Sequence, residues 1–303
     1  MPCPMAEYGA ALGVLYHRIA GELRPSLVAE ALKEAEQGRV DLSGLWIARR
    51  RGRIVGALLT QRLPGHAAAV WAPEVEPSWG RGDLAERLLR AALADLQERG
   101  VRIVQALVDA SAPTRASTDL TRAGMPHVTD LAYLGRPTAP PLAEDRPAPR
   151  FTWRPFGPET EAEFREIIQR TYLGSLDMPE LEGARSLDDV LASHQAGGRF
   201  DPNHWQIGRL PGEPGASAIV LLSDPADRDA WEVAYLGLTP EARGRGLGRS
   251  ALSHALALAR NQTPRLELAV DARNHPAERL YLAAGFQPFE RRNVHLKVMN
   301  SSV

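Results

Sequence analysis

The sequence has 303 residues, of which 44% are hydrophobic and 24% are charged, and its formal net charge is −1. This length is typical of two ordinary domains, each with enough chain to bury a core. The near-zero charge provides no field that would recruit nucleic acid, and the single cysteine, Cys3, excludes an intramolecular disulfide and a cysteine-based metal site.

The chain opens on a segment that lacks the basic region and apolar core of a signal peptide, and no later apolar run has the length of a membrane span. We therefore expect a cytoplasmic protein with no membrane partner. Periodicity in the first half predicts two helices, three strands, a glycine-containing loop, a long helix, a strand, a short helix and a last strand. The predicted ranges are 10–20, 25–37, 45–50, 53–61, 66–75, 84–100, 101–109, 113–124 and 127–134.

A proline-rich stretch, GRPTAPPLAEDRPAPR at 135–150, separates this half from the next and predicts an extended linker. The predicted boundaries are a first domain at 1–135, a linker at 136–150 and a second domain at 151–303. The second half predicts a strand, two helices, three strands, a glycine loop, a helix, a strand, a helix and a strand. These elements are predicted at 151–156, 158–172, 186–196, 204–210, 217–223, 231–238, 248–261, 265–271, 276–285 and 290–298.

The two halves repeat one order of elements. Gly82 and Gly246 are 164 positions apart, and RAGM at 122–125 corresponds to AAGF at 283–286 with an offset of 161. This self-similarity indicates an internal duplication in which the first copy lacks an opening strand. The predicted fold class is α+β (α/β), with two tandem domains that each have a mixed, mostly antiparallel sheet flanked by helices.

The stretch TPEARGRGLGRSAL, at 239–252, connects a strand to a helix through a glycine-rich loop. Such a loop binds anions, because the first N–H groups of the helix have no intrahelical partner and the helix dipole is positive there. Gly244, Gly246 and Gly248 let a bulky anion approach the backbone, and Arg243, Arg245 and Arg249 can add charge-assisted hydrogen bonds. The loop lacks the Lys-Ser/Thr pair of a P-loop and the third glycine of a dinucleotide fingerprint.

The loop together with NHPAERLYLAAGF, at 274–286, resembles the two signature segments of the GNAT superfamily of N-acetyltransferases. The matching positions of the second segment are Asn274, Ala277, Leu280, Tyr281, Gly285 and Phe286. The resemblance covers the second half and extends to the first half as a degenerate copy. It implies a tandem acetyltransferase that uses acetyl-CoA as its cosubstrate and needs no metal.

The resemblance also implies which residues hold acetyl-CoA. Loop amides would bind the pyrophosphate, and the preceding strand would diverge from its neighbour, pair with the pantetheine arm and supply an N–H to the reacting carbonyl oxygen. The implied cofactor-binding residues are Leu236, Leu238, Arg243, Gly244, Arg245, Gly246, Leu247, Gly248, Arg249, Ser250 and Asn274.

Two side chains are predicted to move protons. Tyr281 corresponds to the tyrosine that protonates the leaving CoA thiolate in this family, although a core aromatic is the alternative. Glu232 lies on the strand that precedes the glycine loop, at the position where the histone-acetylating branch of the family carries its general base. The alternative role for Glu232 is that of an ion-pair partner.

The first copy departs from the pattern. Trp79 replaces Arg243, and Leu84 replaces Gly248. Pro113 and Leu120 stand at the places of Asn274 and Tyr281. We therefore expect the first half to be catalytically silent, with residual CoA binding left open because Gly80, Arg81 and Gly82 remain.

The acceptor is expected at the loop between the first two helices of the second half. Asp177, Glu180 and Glu182 are candidates for attracting a cationic amine, although simple solvation of the loop is the alternative. His194 and His204 are expected to be structural. The leading hypothesis is acetyl transfer to a small-molecule amine by a monomer or homodimer that binds no nucleic acid. The alternatives are a protein N-acetyltransferase, acting on lysine or an N-terminus, and a non-enzymatic CoA-binding module.

Overall fold

A computed structural model describes residues 1–77, 80–111, 114–142, 151–226 and 228–299. It divides into two compact units, the first formed by 1–128 with 292–303 and the second by 129–291. The later part of the predicted linker, 143–150, lies outside the described residues, as do Trp79 and Pro113.

The described residues form twelve strands and eight α-helices in nearly the predicted order. The strands are β1 (Leu45–Arg50), β2 (Arg53–Leu63), β3 (Ala67–Val70), β4 (Glu74–Val75), β5 (Ile103–Asp109), β6 (His127–Pro137), β7 (Thr152–Pro155), β8 (Trp205–Arg209), β9 (Ala216–Ser223), β10 (Trp231–Leu238), β11 (Arg265–Asp271) and β12 (Gln287–Val298). The helices are α1 (Tyr8–Leu15), α2 (Arg24–Glu36), α3 (Arg81–Glu98), α4 (Arg115–Arg122), α5 (Glu161–Tyr172), α6 (Leu187–Gln195), α7 (Leu247–Ala259) and α8 (His275–Ala283).

The sheet of the first unit has the order β1-β2-β3-β5-β12, with β4 paired to β2. Its strands pair antiparallel except for β3 and β5, which are parallel. Leu59 on β2 packs with α1, whereas the adjacent Leu58 packs with α3. The two faces of the strand therefore pack against different helices. The first copy was expected to lack an opening strand, and at its start the described residues show one isolated antiparallel bridge, between Pro2 and Trp46.

The sheet of the second unit has the order β6-β11-β10-β9-β8-β7, in which only β10 and β11 are parallel. Val220 on β9 packs with α7 and α8, whereas Ile219 and Leu221 pack with α5 and α6. The predicted mixed, mostly antiparallel sheets flanked by helices are therefore confirmed. A capping box fixes the start of α6, since Asp189 N donates to Ser186 Oγ and Ser186 N donates to the Asp189 carboxylate.

The last strands of the two sequence halves are exchanged between the units. Residues 131–137 of β6 pair antiparallel with β11 in the second unit, and residues 292–298 of β12 pair antiparallel with β5 in the first. The predicted halves, 1–135 and 151–303, differ from the observed units for this reason. Local sequence patterns identify both strands but carry no information on which neighbour each one pairs with.

Candidate active site

The site of the second unit lies where two parallel strands diverge. Strand β10 pairs with β9 from Glu232 to Leu238 but with β11 only at Trp231 and Glu232. An irregularity in the pairing with β9 lies between Val233 and Tyr235. Backbone groups alternate in direction along a strand, so alternate N–H and C=O groups beyond Glu232 face the side that β11 has left. An extended ligand can pair with them.

A cavity of about 610 Å³ occupies this opening. It is bounded by the second part of β10, the glycine loop with the start of α7, the start of α8 and the loop after α5. Its lining residues are Thr171, Gly174, Ser175, Leu176, Asp177, Tyr235, Leu236, Gly237, Leu238, Arg243, Gly244, Gly246, Leu247, Gly248, Arg249, Asn274, Pro276, Ala277, Leu280 and Tyr281. Most residues predicted for acetyl-CoA therefore surround one cavity.

The glycine loop has the backbone conformation of an anion cradle. Gly244 has φ +71° and Gly246 has φ +75°, a region that strains other residues, and α7 begins directly afterwards at Leu247. The first N–H groups of α7 therefore start at the wall of the cavity, where they have no acceptor within the helix. These amides and the helix dipole suit a phosphate group.

Arg243 and Arg245, which were predicted to bind phosphate, donate hydrogen bonds to other groups of the protein. The Arg243 guanidinium donates to the carbonyl oxygens of Thr171, Leu173 and Gly174 at 2.8–3.1 Å. It thereby caps the C-terminal end of α5. Arg245 Nη1 donates to Glu213 Oε1 at 3.1 Å, and Arg245 does not line the cavity in the described chain. The first N–H groups of α7 thus supply positive potential at the cradle, and Arg243 and Arg249 line the same cavity.

Tyr281 lies on α8 with only 8% of its surface exposed, and it lines the cavity. Burial raises the pKa of its phenol, and the negative charge of Asp177 raises it further. The phenol is therefore protonated at neutral pH and able to donate its proton to a leaving thiolate.

Asn274 caps α8, because its Oδ1 accepts from Ala277 N at 3.3 Å. The carboxylate of Asp177 accepts a hydrogen bond from Asp271 N at 3.3 Å, and the neighbouring Asn274 side chain lowers its pKa as well. Asp177 is exposed to the cavity, yet protein surrounds its carboxylate closely. This desolvation raises the pKa of Asp177, against the lowering effects of Asn274 and of the Asp271 N–H.

The three acidic residues predicted to attract the amine have different surroundings. Asp177 lines the main cavity, and Glu182 lines a smaller adjacent chamber. Glu180 instead forms a bidentate ion pair with Arg273, at 2.6 and 2.9 Å. Only Asp177 is thus placed beside the cavity that also holds Tyr281.

Glu232, the base predicted from the sequence, does not line the cavity in the described chain. It lies at the start of β10, where this strand is still paired with β11, and its Oε2 accepts from Arg228 Nη2 at 2.8 Å. Arg228 also contacts Glu267 at 3.3 Å. The geometry here is that of the ion-pair alternative.

Asp271 fixes the loop that carries Asp177. Its fully buried carboxylate accepts from Thr129 Oγ1 at 2.6 Å, Met178 N at 3.1 Å and the Arg273 guanidinium at 2.7 Å. Burial alone would raise the pKa of Asp271, but the hydrogen bonds from Arg273 and Thr129 outweigh it and lower the pKa. No motif marked this residue, since its partners come from distant parts of the chain.

The Asp271→Ala variant is expected to lose about 3 kcal/mol of unfolding free energy, because Thr129 Oγ1 and Met178 N lose their acceptor and Arg273 loses one of its two carboxylate partners. Urea denaturation at neutral pH measures the change. Asp188→Ala is the control, since that carboxylate forms an exposed ion pair with Arg165 and is expected to contribute less than about 1 kcal/mol. Equal losses in the two variants would contradict the role given to Asp271.

In the first copy, the positions that correspond to the glycine loop and Tyr281 of the second copy carry apolar and ionic groups that contact the protein itself. Leu120, which stands where Tyr281 stands, is completely buried in the core, and Leu84 packs against the same core. Arg81 forms a 2.6 Å ion pair with Asp119, which is 2% exposed. That the first copy is catalytically silent stays a prediction.

Comparison with known proteins identifies the family. A sequence model of the acetyltransferase (GNAT) family matches residues 15–125 and 163–286. The chain belongs to this family. It is an N-acetyltransferase, and acetyl-CoA is the cosubstrate of GNAT acetyltransferases.

Relatives support the same assignment along the tandem chain, and solved structures share its fold. Mycothiol acetyltransferase of Streptomyces bingchenggensis is 31% identical over 290 residues, 87% of this chain and 88% of the relative. The one from Beutenbergia cavernae is 34% identical over 173 residues, 54% of this chain and 57% of the relative. A GCN5-related N-acetyltransferase from Sphaerobacter thermophilus shares the fold with a TM-score of 0.63 at 20% identity, covering 98% of this chain and 94% of that one. A tandem GNAT protein from the clavulanic acid biosynthesis pathway has a TM-score of 0.54 at 15% identity, with 100% and 98% covered.

Two further features of this GNAT chain concern its described residues alone. They contain no helix that combines the length and apolarity needed to cross a lipid bilayer. Within the same ranges, no three His, Cys, Asp or Glu side chains are grouped as ligands for a metal ion.

Proposed function

We propose that the second unit transfers the acetyl group of acetyl-CoA directly to a primary amine of a small molecule, with both substrates bound at once. The observation that carries the proposal is the single cavity that joins the glycine cradle, the diverged part of β10, Tyr281 and Asp177. It combines a phosphate site, a backbone surface for an extended arm and two groups able to exchange protons. The first unit is proposed to be non-catalytic.

Binding at the cradle and along β10 would hold the thioester in place while the amine enters from the side of the α5–α6 loop. Holding the two reactants in line supplies a large part of the rate enhancement. Leu236 and Leu238 line this path, and a backbone N–H of the diverged segment is proposed to stabilise the charge that develops on the carbonyl oxygen.

The proton steps follow from the two side chains in the cavity. The amine nitrogen forms its bond to the carbonyl carbon, the carbon–sulfur bond breaks, and Tyr281 protonates the sulfur. We assign the proton from the amine to Asp177, because it lines the cavity and its pKa is raised by desolvation. Glu232 is the alternative base from the sequence, and its ion pair with Arg228 makes it the weaker candidate.

A small-molecule acceptor is favoured over a protein because the space beside Asp177 is a chamber of about 130 Å³ instead of a long groove. The curated relatives are named mycothiol acetyltransferase, which supports a small-molecule acceptor here too. Calorimetry with acetyl-CoA, followed by a thiol-release assay with small amines and lysine peptides, tests the proposal. Absence of acetyl-CoA binding would refute it, whereas binding without turnover of any amine would favour a CoA-binding module.

The Tyr281→Phe variant is expected to lower kcat about 100-fold, because the phenylalanine ring retains the packing but cannot protonate the thiolate. The Kd for acetyl-CoA is expected to stay within about twofold of wild type, since no binding contact is assigned to the hydroxyl. Tyr133→Phe is the control, as Tyr133 packs on Phe289 and does not line the cavity within the described residues. An unchanged kcat across pH would disprove the acid role.

A further inference from the structure

A small chamber of about 130 Å³ lies under the loop that follows α5. It shares Ser175 and Asp177 with the main cavity, so a group held in the chamber would lie next to the reacting amine. Its volume admits a fragment of a few non-hydrogen atoms. The remaining lining residues are Tyr172, Met178, Pro179, Leu181, Glu182, Gly183, Arg185 and Val190.

Arg185 brings a cation with spare hydrogen-bonding capacity to this chamber. One hydrogen bond ties it to the protein, from Nη1 to Ser193 Oγ at a long 3.4 Å. Its Nε is inaccessible to solvent and has no acceptor among the described residues. Its Nη2 likewise has no acceptor among the described residues, so an oxygen of a ligand in the chamber can accept from this charged group without displacing a protein partner.

Tyr172 and His194 set the polarity of another wall. Burial lowers the pKa of His194 to about 4, and the positive charge of Arg185 acts in the same direction, so the imidazole is neutral. A neutral imidazole can accept through Nε2, which lies 3.2 Å from Tyr172 Oη. When the Tyr172 hydroxyl donates its hydrogen to His194, its oxygen lone pairs can accept a hydrogen bond from a ligand in the chamber. The Asp177 carboxylate is a second acceptor on the chamber wall.

We propose that Arg185 is a specificity residue that binds an oxygen carried by the acceptor a few bonds from its amine. The proposal rests on the proposed function. The acceptor class is then an amine with a neighbouring carbonyl, carboxylate or hydroxyl oxygen, as in amino acids, their amides and amino alcohols. Simple alkylamines lack the oxygen, and diamines place a second positive charge beside Arg185.

The test compares acceptors of matched size in the thiol-release assay. Glycinamide, glycine and ethanolamine carry the oxygen in three forms, whereas propylamine and 1,3-diaminopropane carry none. With the wild-type chain, kcat/KM for the best oxygen-bearing acceptor is expected to exceed that for propylamine by roughly 10- to 100-fold. In Arg185→Gln this ratio is expected to fall to within about threefold of unity, while kcat/KM for propylamine changes less than about threefold.

Controls separate this role from a structural one. Arg165→Gln, at an arginine with an ion pair to Asp188, is expected to leave the ratio unchanged. Arg185→Lys retains the charge and is expected to restore part of the preference for glycine, whose carboxylate a point charge can attract. The ranking of glycine, glycinamide and ethanolamine in wild type identifies the form of oxygen bound.

The proposal is overturned if the wild-type chain acetylates propylamine as efficiently as all three oxygen-bearing acceptors. This comparison uses wild type alone, so it does not depend on the folding of any variant. A preference that persists unchanged in both folded Arg185 variants overturns it equally. Calorimetry with acetyl-CoA distinguishes these outcomes from failure of the proposed function, because wild type must bind acetyl-CoA in either case. Arg185→Gln is expected to bind it with a Kd within about twofold of wild type, since Arg185 does not line the main cavity in the described chain.

Discussion

Replacement of Gly248 by leucine is expected to weaken acetyl-CoA binding by at least about 100-fold. A Cβ at this position would already lie 3.0 Å from Leu280 Cδ2 and 3.9 Å from Leu238 Cδ1, on the wall of the cavity. The rest of a leucine side chain must therefore extend into the space between the cradle and β10. Leu84 holds the corresponding place in the first copy, so the fold tolerates this substitution at the start of such a helix.

Titration calorimetry of wild type and the Gly248→Leu variant with acetyl-CoA measures the loss. Gly157→Leu provides the matched control, because a Cβ at Gly157 meets no atom within 4 Å and its φ is not positive. The control is expected to bind acetyl-CoA as wild type does. Undiminished affinity in a folded Gly248→Leu variant would show that acetyl-CoA does not use this cradle.

Replacement of Asp177 by asparagine is expected to lower kcat/KM for the amine by about 100- to 1,000-fold. Asparagine preserves the size and one acceptor oxygen, so the hydrogen bond from Asp271 N can persist while the proton acceptor is lost. Glu232→Gln is the decisive comparison, because Glu232 is the base indicated by the sequence and is ion-paired with Arg228. A large loss in Glu232→Gln together with a small loss in Asp177→Asn would reverse the assignment.

The pH dependence provides a second readout for Asp177. As a base it acts when ionised, and its pKa is raised, so kcat/KM should increase with pH to a plateau reached above the range of an ordinary aspartate. This limb is expected to disappear in Asp177→Asn. The folded state holds the Asp177 proton more tightly than the unfolded chain, so stability falls as pH rises between the two pKa values. Asparagine does not titrate, so Asp177→Asn lacks this fall in stability. At pH values above both pKa values, its melting temperature is expected to be no lower than that of wild type.

The elements of this fold could be predicted from local patterns in the sequence. Alternation and helical periodicity located the strands and helices, and the capping box of Ser186 and Asp189 lies at the start of the helix predicted at 186–196. The glycine loop was also recognisable, because Gly244 and Gly246 adopt the positive φ that glycine permits. These features depend on residues close together in the chain, and short-range sterics and hydrogen bonding determine them.

Other features depended on contacts between distant residues. The sequence by itself determined the family, the order of elements and the position of the glycine loop. Only the tertiary structure decided that β6 and β12 exchange units, that Asp177 and not Glu232 faces the cavity with Tyr281, and that Arg243 closes the end of α5. The physical reason is that strand pairing, desolvation and side-chain hydrogen bonds are set by neighbours in space, which for Asp177 and Asp271 lie 94 positions apart along the chain.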